Sequence, residues 1–442
     1  MDTPADHPAH PAQTLIVWTI QGTWIFYVTG ALYITGPALG WTLALMVAWR
    51  FYVFPTLPRG QRPGPLPLAI VLWLIGMAGM EVALLAGHIG YGLGIGATIK
   101  SSIGWAKGWA LLALYPLAGA ALPIRPEAVY RAVCRLGLQT LILLPLLLAA
   151  PMVGLPSLLY VSPLSVVGGS GPEFFAVMLY IVDPENGASR WQFYAPWAPA
   201  AGMVAVIHMI CALQERRLGW MAVGLLANLL IAYLSGSRMA ILATAILWPV
   251  ALAASHMRRP ALWFAAAPAV LLGGLFATTI REALERAVDD FKGARADSSR
   301  VRAALGRIAV ERWRNEAPWF GHGVLERGPH MVEFMPIGSH HSWYGLLFVK
   351  GIVGLACLAI PLAFSVVTLF GRAMHSRTAR TGFAMALVLT FYTFGENLEI
   401  LGYLIWPGLL LIGMGTVSRP DAPPAAPAPP PIPPPIPPLA PL

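Results

Sequence analysis

Long apolar segments follow one another along this 442-residue chain, and they constrain its fold more than any other feature. A helix needs about 20 apolar residues to cross a bilayer, and twelve segments approach that length. They cover residues 14–33, 37–55, 68–87, 103–122, 138–160, 197–213, 219–234, 239–255, 261–279, 343–370, 382–395 and 401–417. The seventh and eighth are short enough to form one broken segment. With 57% hydrophobic and only 11% charged residues, the chain is predicted to be an all-α polytopic membrane protein with about 12 transmembrane helices.

The positions of the basic residues predict which way the chain crosses the membrane. If the N-terminus is cytoplasmic, the inner loops and the tail hold 14 Lys and Arg residues, and the short outer loops hold four. Basic residues concentrate in cytoplasmic loops, so both termini are expected in the cytoplasm. The same count puts Arg238, residues 280–342 and the turn at Glu396 on the outer face.

One long polar stretch, residues 280–342, interrupts the apolar segments. Ten of the 29 Lys and Arg residues and nine of the 20 Asp and Glu residues lie between Thr279 and Trp343. A polar loop of this size between two spans commonly carries a function, although a solvated surface loop has the same composition. We expect one large outer loop that contains short helices.

The chain divides into a polar N-terminal tail (1–13), a transmembrane domain (14–417) and a Pro-rich disordered tail (418–442). The first segment has no basic start, so no cleaved signal peptide is expected. The three cysteines lie far apart without metal-ligand spacing. Because the basic residues follow the loop topology, no nucleic-acid partner is expected.

Arg238 follows Ser-Gly-Ser at 235–237, at the outer end of an apolar segment. An arginine there must snorkel, pair or face water, and small residues leave backbone amides open to an anion. These features suit a phosphate group. An interfacial anchor has the same pattern and is the commoner explanation for a single arginine.

Arg300 and Arg302 begin a second candidate segment. Residues 299–313 have helical periodicity. The predicted apolar face consists of Leu305, Ile308, Ala309 and Trp313, with the charged side chains elsewhere. Guanidinium groups match phosphate oxygens, so both arginines are candidates for binding a diphosphate. A solvated amphipathic helix is the alternative.

Two adjacent histidines, His340 and His341, stand between the polar loop and the next span. Histidine accepts a proton near neutral pH, so one of the two is a candidate general base. Neighbours in an extended or helical segment do not both point at one site. A zinc pair is less favoured, because the remaining histidines of the loop lack regular ligand spacing.

Glu396 and Arg190 are candidate substrate-binding residues. Glu396 lies at the outer end of the eleventh segment, where an acid pairs with an arginine or hydrogen-bonds a sugar. Arg190 is followed by Trp191 and Tyr194, and both sugars and lipid headgroups contact such aromatic faces. Solvation of a helix end and anchoring at the interface are the alternatives.

Three ordered stretches resemble the O-antigen ligase and polymerase family of bacterial membrane glycosyltransferases. The first is Ser-Gly-Ser-Arg at 235–238. The second leads from Arg302 to Pro-Trp-Phe-Gly-His-Gly at 318–323, and the third leads from His340 to Gly-Ile-Val-Gly-Leu at 351–355. The likeness covers about 200–415. The family usually has Asn where this chain has His341, so the spacing favours His340 as the catalytic histidine and, in the second stretch, Arg302 over Arg300.

The resemblance implies a GT-C-like fold in a bacterial inner membrane, with the catalytic loop in the periplasm. It also implies inverting, metal-independent transfer, without a cofactor, from an undecaprenyl-diphosphate-linked glycan donor. Arg238 and Arg302 would then stabilise the departing diphosphate, and His340 would deprotonate an acceptor hydroxyl. Membrane lipid would surround the apolar spans.

The acceptor remains open at this point. It is a growing glycan in O-antigen or exopolysaccharide polymerisation, a lipid A-core in lipopolysaccharide ligation, or a protein side chain. The alternative from another class is a transporter or flippase for a lipid-linked or anionic solute. The clustering of charged groups on one face and the lack of an inverted repeat disfavour that alternative.

Overall fold

The computed structural model describes residues 10–56, 64–168, 171–183, 187–293, 296–338 and 341–421. Two subjects of the predictions above, His340 and the Pro-rich tail from residue 422 onward, lie outside these ranges.

Most of the described chain is helical, in sixteen α-helices. They are α1 (Pro11–Gln21), α2 (Thr23–Val28), α3 (Leu32–Tyr52), α4 (Leu68–Gly90), α5 (Ile95–Lys107), α6 (Leu111–Ala121), α7 (Pro126–Met152), α8 (Ala198–Ala212), α9 (Leu218–Leu234), α10 (Arg238–Ser255), α11 (Pro260–Leu275), α12 (Ala277–Gly293), α13 (Ala296–Glu316), α14 (Ser342–Ala373), α15 (Arg377–Tyr392) and α16 (Leu398–Val417). The polar loop thus contains two long helices, α12 and α13, rather than only short ones.

Six of the described helices are long and apolar enough to cross a membrane, namely α3, α4, α7, α10, α14 and α16. The bent pair of α11 and the first part of α12, with 80° between them, adds a seventh if it is one span. α8 and α9 are apolar but only 15 and 17 residues long. The multi-pass prediction is therefore confirmed, and the number twelve is not. The predicted segments 14–33 and 103–122 are each divided between two shorter helices, at Gly22 and at 108–110.

Two small antiparallel sheets follow α7, where the sequence predicts a span and a loop. Strand β1 (Leu158–Val161) pairs with β2 (Ala176–Met178), and β3 (Ile181–Val182) pairs with β4 (Ser189–Arg190). The predicted span 138–160 ends at Met152 because Gly154, at a φ of 72°, closes the helix in the left-handed conformation. These strands depart from the predicted all-α fold, because the pattern of a short apolar run does not distinguish a strand from a helix.

α16 is the most enclosed of the six candidate spans. In α16, 89% of the apolar window is buried, against 28% to 44% in the other five. α16 packs along α6 and α15. A Cβ on Gly413 would collide with the carbonyl of Pro116, and one on Gly119 would collide with the carbonyl of Leu410. Small residues let helix backbones approach closely in a membrane, where van der Waals packing holds them together.

α14 is interrupted at Gly351, which adopts a φ of 63°. A residue with a Cβ would be strained there and would collide with the carbonyl of Trp319. Residues 318–323, called here the 318–323 turn, bond to the backbone groups around the break. The bonds run from His322 N to Phe348 O (2.8 Å), Gly323 N to Val349 O (2.9 Å), Ile352 N to Pro318 O (3.0 Å) and Val353 N to Trp319 O (3.2 Å). Two of the three family-like stretches are therefore joined by hydrogen bonds.

A charged cluster attaches the 318–323 turn to α13. The side chain of His322 is buried, with Nδ1 3.0 Å from the carbonyl oxygen of Phe348 and Nε2 2.8 Å from Oε2 of Glu316. Arg312 donates to Glu316 and to Glu326. Hydrogen bonding by Arg312, with a further contribution from His322, lowers the pKa of Glu316 to about 2. The turn is held by the backbone of α14 on one side and by α13 on the other.

Candidate active site

α13 carries a charged outer face and an apolar inner face. The helix predicted over residues 299–313 is confirmed as Ala296–Glu316. Leu305 and Ala309 are buried, as the periodicity predicts. The exposed side chains include Arg300, Arg302, Arg307, Glu311 and Arg314. The apolar face anchors the helix and places Arg300, Arg302, Arg307 and Arg314 at the surface.

α13 rests on the first turn of α14. A Cβ on Gly306 would collide with the ring of Tyr344, so the glycine lets this ring lie against the helix backbone. Arg302 lies one turn before Gly306 on the same face of α13, so it lies beside the contact between Gly306 and Tyr344. A cavity of about 70 Å³ lies here, called below the arginine cavity. It is lined by Arg302, Leu305, Gly306, Gly338, His341, Tyr344, Phe394 and Gly395.

The turn between α15 and α16 forms the far wall of the arginine cavity and is bonded to the start of α14. Ser342 Oγ donates to the carbonyl of Glu396 at 2.7 Å and accepts from the amide of Leu398 at 3.1 Å. The amide of Ser342 donates to the carbonyl of Thr393 at 3.1 Å. These bonds fix the position of residues 393–398 relative to His341.

Glu396 carries a buried carboxyl group beside the arginine cavity. Only 6% of the residue is exposed, and Trp197 Nε1 donates to its Oε2 at 3.0 Å. Burial raises the pKa of Glu396 to about 7, against the opposing effects of the Arg302 charge and the bond from Trp197. A carboxyl group with such a pKa exchanges a proton near neutral pH.

His341 caps α14 and stacks on Tyr344. Its Nδ1 accepts from the amide of Tyr344 at 3.4 Å, and the two ring centroids lie 4.1 Å apart. Burial lowers the pKa of His341 to about 4. With Nδ1 as the acceptor, the neutral ring carries its proton on Nε2. In this arrangement His341 is a helix cap whose Nε2–H can donate a hydrogen bond, and a catalytic role for His341 stays a prediction.

Arg238 is the first residue of α10 and is partly buried. The preceding turn is tight: Gly236 has a φ of 59°, and Ser237 accepts from the amide of Ala240 at 3.3 Å. A Cβ on Gly395 would collide with the sulfur of Met239. The turn at Arg238 therefore packs directly against the wall of the arginine cavity.

Arg190 contacts the same turn. Its guanidinium donates to the carbonyl of Ser235 from Nε at 3.1 Å and from Nη2 at 2.9 Å, and Nη1 donates to Asp183 at 3.3 Å. The carbonyls at the end of α9 attract a cation. These contacts support a role in holding the Arg238 turn, and substrate binding by Arg190 stays a prediction.

The structure distinguishes the two candidate arginines of α13. It does not describe the position of His340. Arg302 lines the arginine cavity, and Arg300 is exposed and does not line it. His340 lies outside the described residues, directly between Gly338–Ser339 and the cap residue His341. Within the described ranges, no group of three or more His, Cys, Asp or Glu side chains is arranged to hold a metal ion.

Two residues near the site were missed in the sequence analysis. Trp197 holds the carboxyl of Glu396, and nothing in its local pattern indicates a partner almost 200 residues away. Lys350 is only 2% exposed in α14. A lysine inside a predicted span is a strong signal by itself, and it could have been noticed in residues 343–370.

A comparison with protein-family models identifies a match to the O-antigen ligase family over residues 222–359. The matched segment runs from α9 into α14, so it includes Arg238, Arg302 and His341 but neither Arg190 nor Glu396. No curated protein matches the chain in a sequence search. The predicted resemblance to the O-antigen ligase family is thereby confirmed, and residues 222–359 are the part of the chain that carries it.

Proposed function

We propose that this protein is a glycosyltransferase of the bacterial inner membrane that acts on its periplasmic face. It moves a glycan from undecaprenyl diphosphate to an acceptor hydroxyl, in ligation or polymerisation of O-antigen or exopolysaccharide. The observation that carries the proposal is the arginine cavity, which brings Arg302, His341 and the Glu396 turn together. The match over residues 222–359 supports the reaction class.

The arginines suit the leaving group of this reaction. Breaking the bond between the sugar and the diphosphate leaves negative charge on phosphate oxygens, and guanidinium groups bind those oxygens through paired hydrogen bonds. Arg302 lines the cavity, and Arg238 starts a helix that packs against its wall. A helix N-terminus also favours an anion, so Arg238 and the first amides of α10 would act on the same phosphate.

His340 is the proposed base. The acceptor oxygen forms a bond to the anomeric carbon, the electron pair of the old bond leaves with the diphosphate, and the acceptor proton passes to His340. This single displacement inverts the anomeric configuration. The cap role of His341 supports the choice of its neighbour, because the cap bond occupies Nδ1 of His341.

Glu396 is the proposed acceptor-binding group. Glu396 follows Gly395 of the cavity wall in the chain, and Trp197 orients its carboxyl. A carboxyl oxygen accepts a hydrogen bond from a sugar hydroxyl and thereby orients the acceptor. The proposed site requires neither a metal ion nor a cofactor.

The position of the candidate groups supports a transferase over a transporter. Arg302, His341 and Glu396 lie at helix ends or in the polar loop, whereas transporters bind their solute near the midplane of the bilayer. If all twelve predicted segments cross the membrane, the excess of basic residues in alternate loops supports cytoplasmic termini and a periplasmic site.

The test uses the purified full chain in detergent with a polyprenyl-diphosphate oligosaccharide, with and without a lipid A-core acceptor. Arg238→Ala, Arg302→Ala and His340→Ala should each reduce transfer by roughly 10²-fold or more. Arg281→Ala is the matched control, because Arg281 is an exposed arginine of α12 that pairs with Glu285. Near-native transfer by all three site variants would overturn the site assignment.

The products decide the acceptor class. A ladder from the donor alone indicates polymerisation, and a single shifted core band indicates ligation. Activity that persists in a chelator supports the metal-independent mechanism. Absence of both products from folded native protein, together with exchange of a labelled solute in liposomes, would replace the transferase proposal by a transporter.

A further inference from the structure

Lys350 is a buried cation that the proposed reaction does not use. It is 2% exposed, in the segment of α14 just before the break at Gly351. A Cβ on Gly354 would collide with the side-chain stem of Lys350. The second glycine of the 351–355 stretch therefore leaves space for this lysine.

The ammonium of Lys350 has no hydrogen bond and no ion pair within the described ranges. A charge in a protein interior costs several kcal/mol unless other groups compensate it. The groups that surround the Lys350 ammonium must therefore offset the free-energy cost of burying its charge. Lys350 lines a narrow cavity of about 10 Å³, called here the lysine cavity, together with Trp109, Asn397 and Glu399.

The lysine cavity has the composition of a buried water site. The indole Nε1 of Trp109 is buried and has no partner in the described part of the chain. Glu399 also lines this cavity, and within the described ranges it forms no direct ion pair with Lys350. A volume of about 10 Å³ accommodates about one water molecule, and such a molecule needs two to four polar partners. Two donors and one carboxylate provide them.

The lysine cavity touches the candidate active site at two residues. Gly338 lines both cavities. Ser342 lines the lysine cavity and also bonds to the carbonyl of Glu396 and the amide of Leu398. The groups that surround Lys350 are thus continuous with the bonds that position Glu396.

We propose that Lys350, through a buried water shared with Trp109 and Glu399, is a positioning residue for the turn that carries Glu396. The ammonium and the carboxylate attract each other across the water and hold α16 against the first turns of α14. The catalytic consequence of this contact rests on the proposed function, whereas the contact itself does not.

The contact is tested by a double-mutant cycle on the thermal stability of the full chain in detergent. Lys350→Met and Glu399→Gln should each lower Tm by at least ~5 °C, because one leaves the half-buried carboxylate of Glu399 and the other leaves the buried Lys350 without the opposite charge. The double variant should lose less than the sum of the two, by several degrees. Lys100→Met, the same change at an exposed lysine of α5, should leave Tm unchanged. Additive losses in the cycle would overturn the proposed contact.

The positioning role is tested by kinetics of glycan transfer. Lys350→Met should lower kcat by roughly 10-fold and change the KM for the donor by less than about 2-fold, because the donor-binding arginines are unaffected. Trp109→Phe keeps the ring, removes one donor and should lower kcat by roughly 3-fold. Native kcat in both variants, or a loss confined to the donor KM, would overturn the positioning role. If the native chain transfers no glycan, the proposed function fails, and the stability cycle still decides whether the contact exists.

Discussion

α14 and α16 lie in contact, yet their positions depend on different interactions. α16 is continuous and enclosed, and glycines let its backbone approach α6. α14 is broken at Gly351, and its first half is held by hydrogen bonds from the 318–323 turn and from residues 393–398. α16 is regular along its length. α14, which carries the candidate site, is at least as apolar but is irregular at Gly351.

This difference indicates how one fold combines stability with a reactive surface. Close packing against α6 and α15 fixes most of the length of α16, and van der Waals contacts of this kind need no buried polar groups in lipid. The bonds around the break of α14 place polar atoms at defined positions, but each bond needs a partner from a distant segment. Local departures from regular structure are expected where a site is located.

The largest expected effect is the loss of stability when one glycine in each of the two helices is replaced by alanine. Gly351→Ala should destabilise the protein by about 4 kcal/mol, because it adds left-handed strain to a collision with the Trp319 carbonyl. Gly413→Ala, the matched change in α16, should cost about 3 kcal/mol through overpacking alone. Unfolding in detergent measures both losses.

Hydrogen exchange sharpens this comparison. In Gly351→Ala, faster exchange should be confined to the 318–323 turn and its partners in α14. In Gly413→Ala, exchange should accelerate across α6, α15 and α16 together. A global acceleration in both variants would contradict the separation of the two helices.

The next effect is a decrease in stability with rising pH that we expect from Glu396. Because its pKa is raised from 4.5 to about 7, the folded state binds the proton more tightly than the unfolded chain. Its contribution is fully present below pH about 4.5 and is lost as pH rises through about 7. Glu396→Gln should remove a decline in stability of up to about 3 kcal/mol between pH 5 and 8. An unchanged slope of Tm against pH, with the exposed Glu311→Gln as control, would contradict this expectation.

A smaller effect of opposite sign is expected at Glu316. Its pKa is lowered to about 2, so its contribution is present above pH about 4.5 and is lost as pH falls towards 2. The carboxylate is 43% exposed, which limits the effect to about 1 kcal/mol after screening. Exchange of the His322 and Gly323 amides should accelerate between pH 5 and pH 3, relative to Glu316→Gln. Equal pH dependence in the two proteins would show that the turn does not depend on this charge.

The smallest effect is expected at the helix cap. His341→Asn keeps a side-chain acceptor for the amide of Tyr344 and should change stability by less than about 0.5 kcal/mol, whereas His341→Ala should cost about 1 kcal/mol. Transfer should also be retained in His341→Asn if His340 is the base. Loss of transfer in His341→Asn, with stability unchanged, would instead make His341 the catalytic histidine.

The sequence predicts the helical, multi-pass fold and the helix that carries Arg302, because both follow from local periodicity and hydropathy. The order of the three family-like stretches is also visible, and the match over residues 222–359 agrees with it. The number of spans is less well predicted, since hydropathy does not reveal breaks such as Gly22. The strands after α7 are missed because four apolar residues have no decisive period.

The connections between distant segments are the part that the sequence does not reveal. The break at Gly351 lies inside an apolar run, and its partners are the 318–323 turn about 30 residues earlier. Trp197 and Glu396 are separated by 199 residues. Such pairs depend on how helices pack, which one sequence does not specify. Lys350 differs, because a lysine within a predicted span is apparent from the sequence alone.

The break in α14 has a consequence for how the chain is assembled in the membrane. Within the described residues, the carbonyls of Phe348 and Val349 and the amides of Ile352 and Val353 bond to the 318–323 turn. During biogenesis that turn leaves the insertion machinery before α14 does. The helical path of α14 is therefore incomplete until the 318–323 turn docks against its break. Docking of this turn is thus a condition for completing the helix that follows it in the chain.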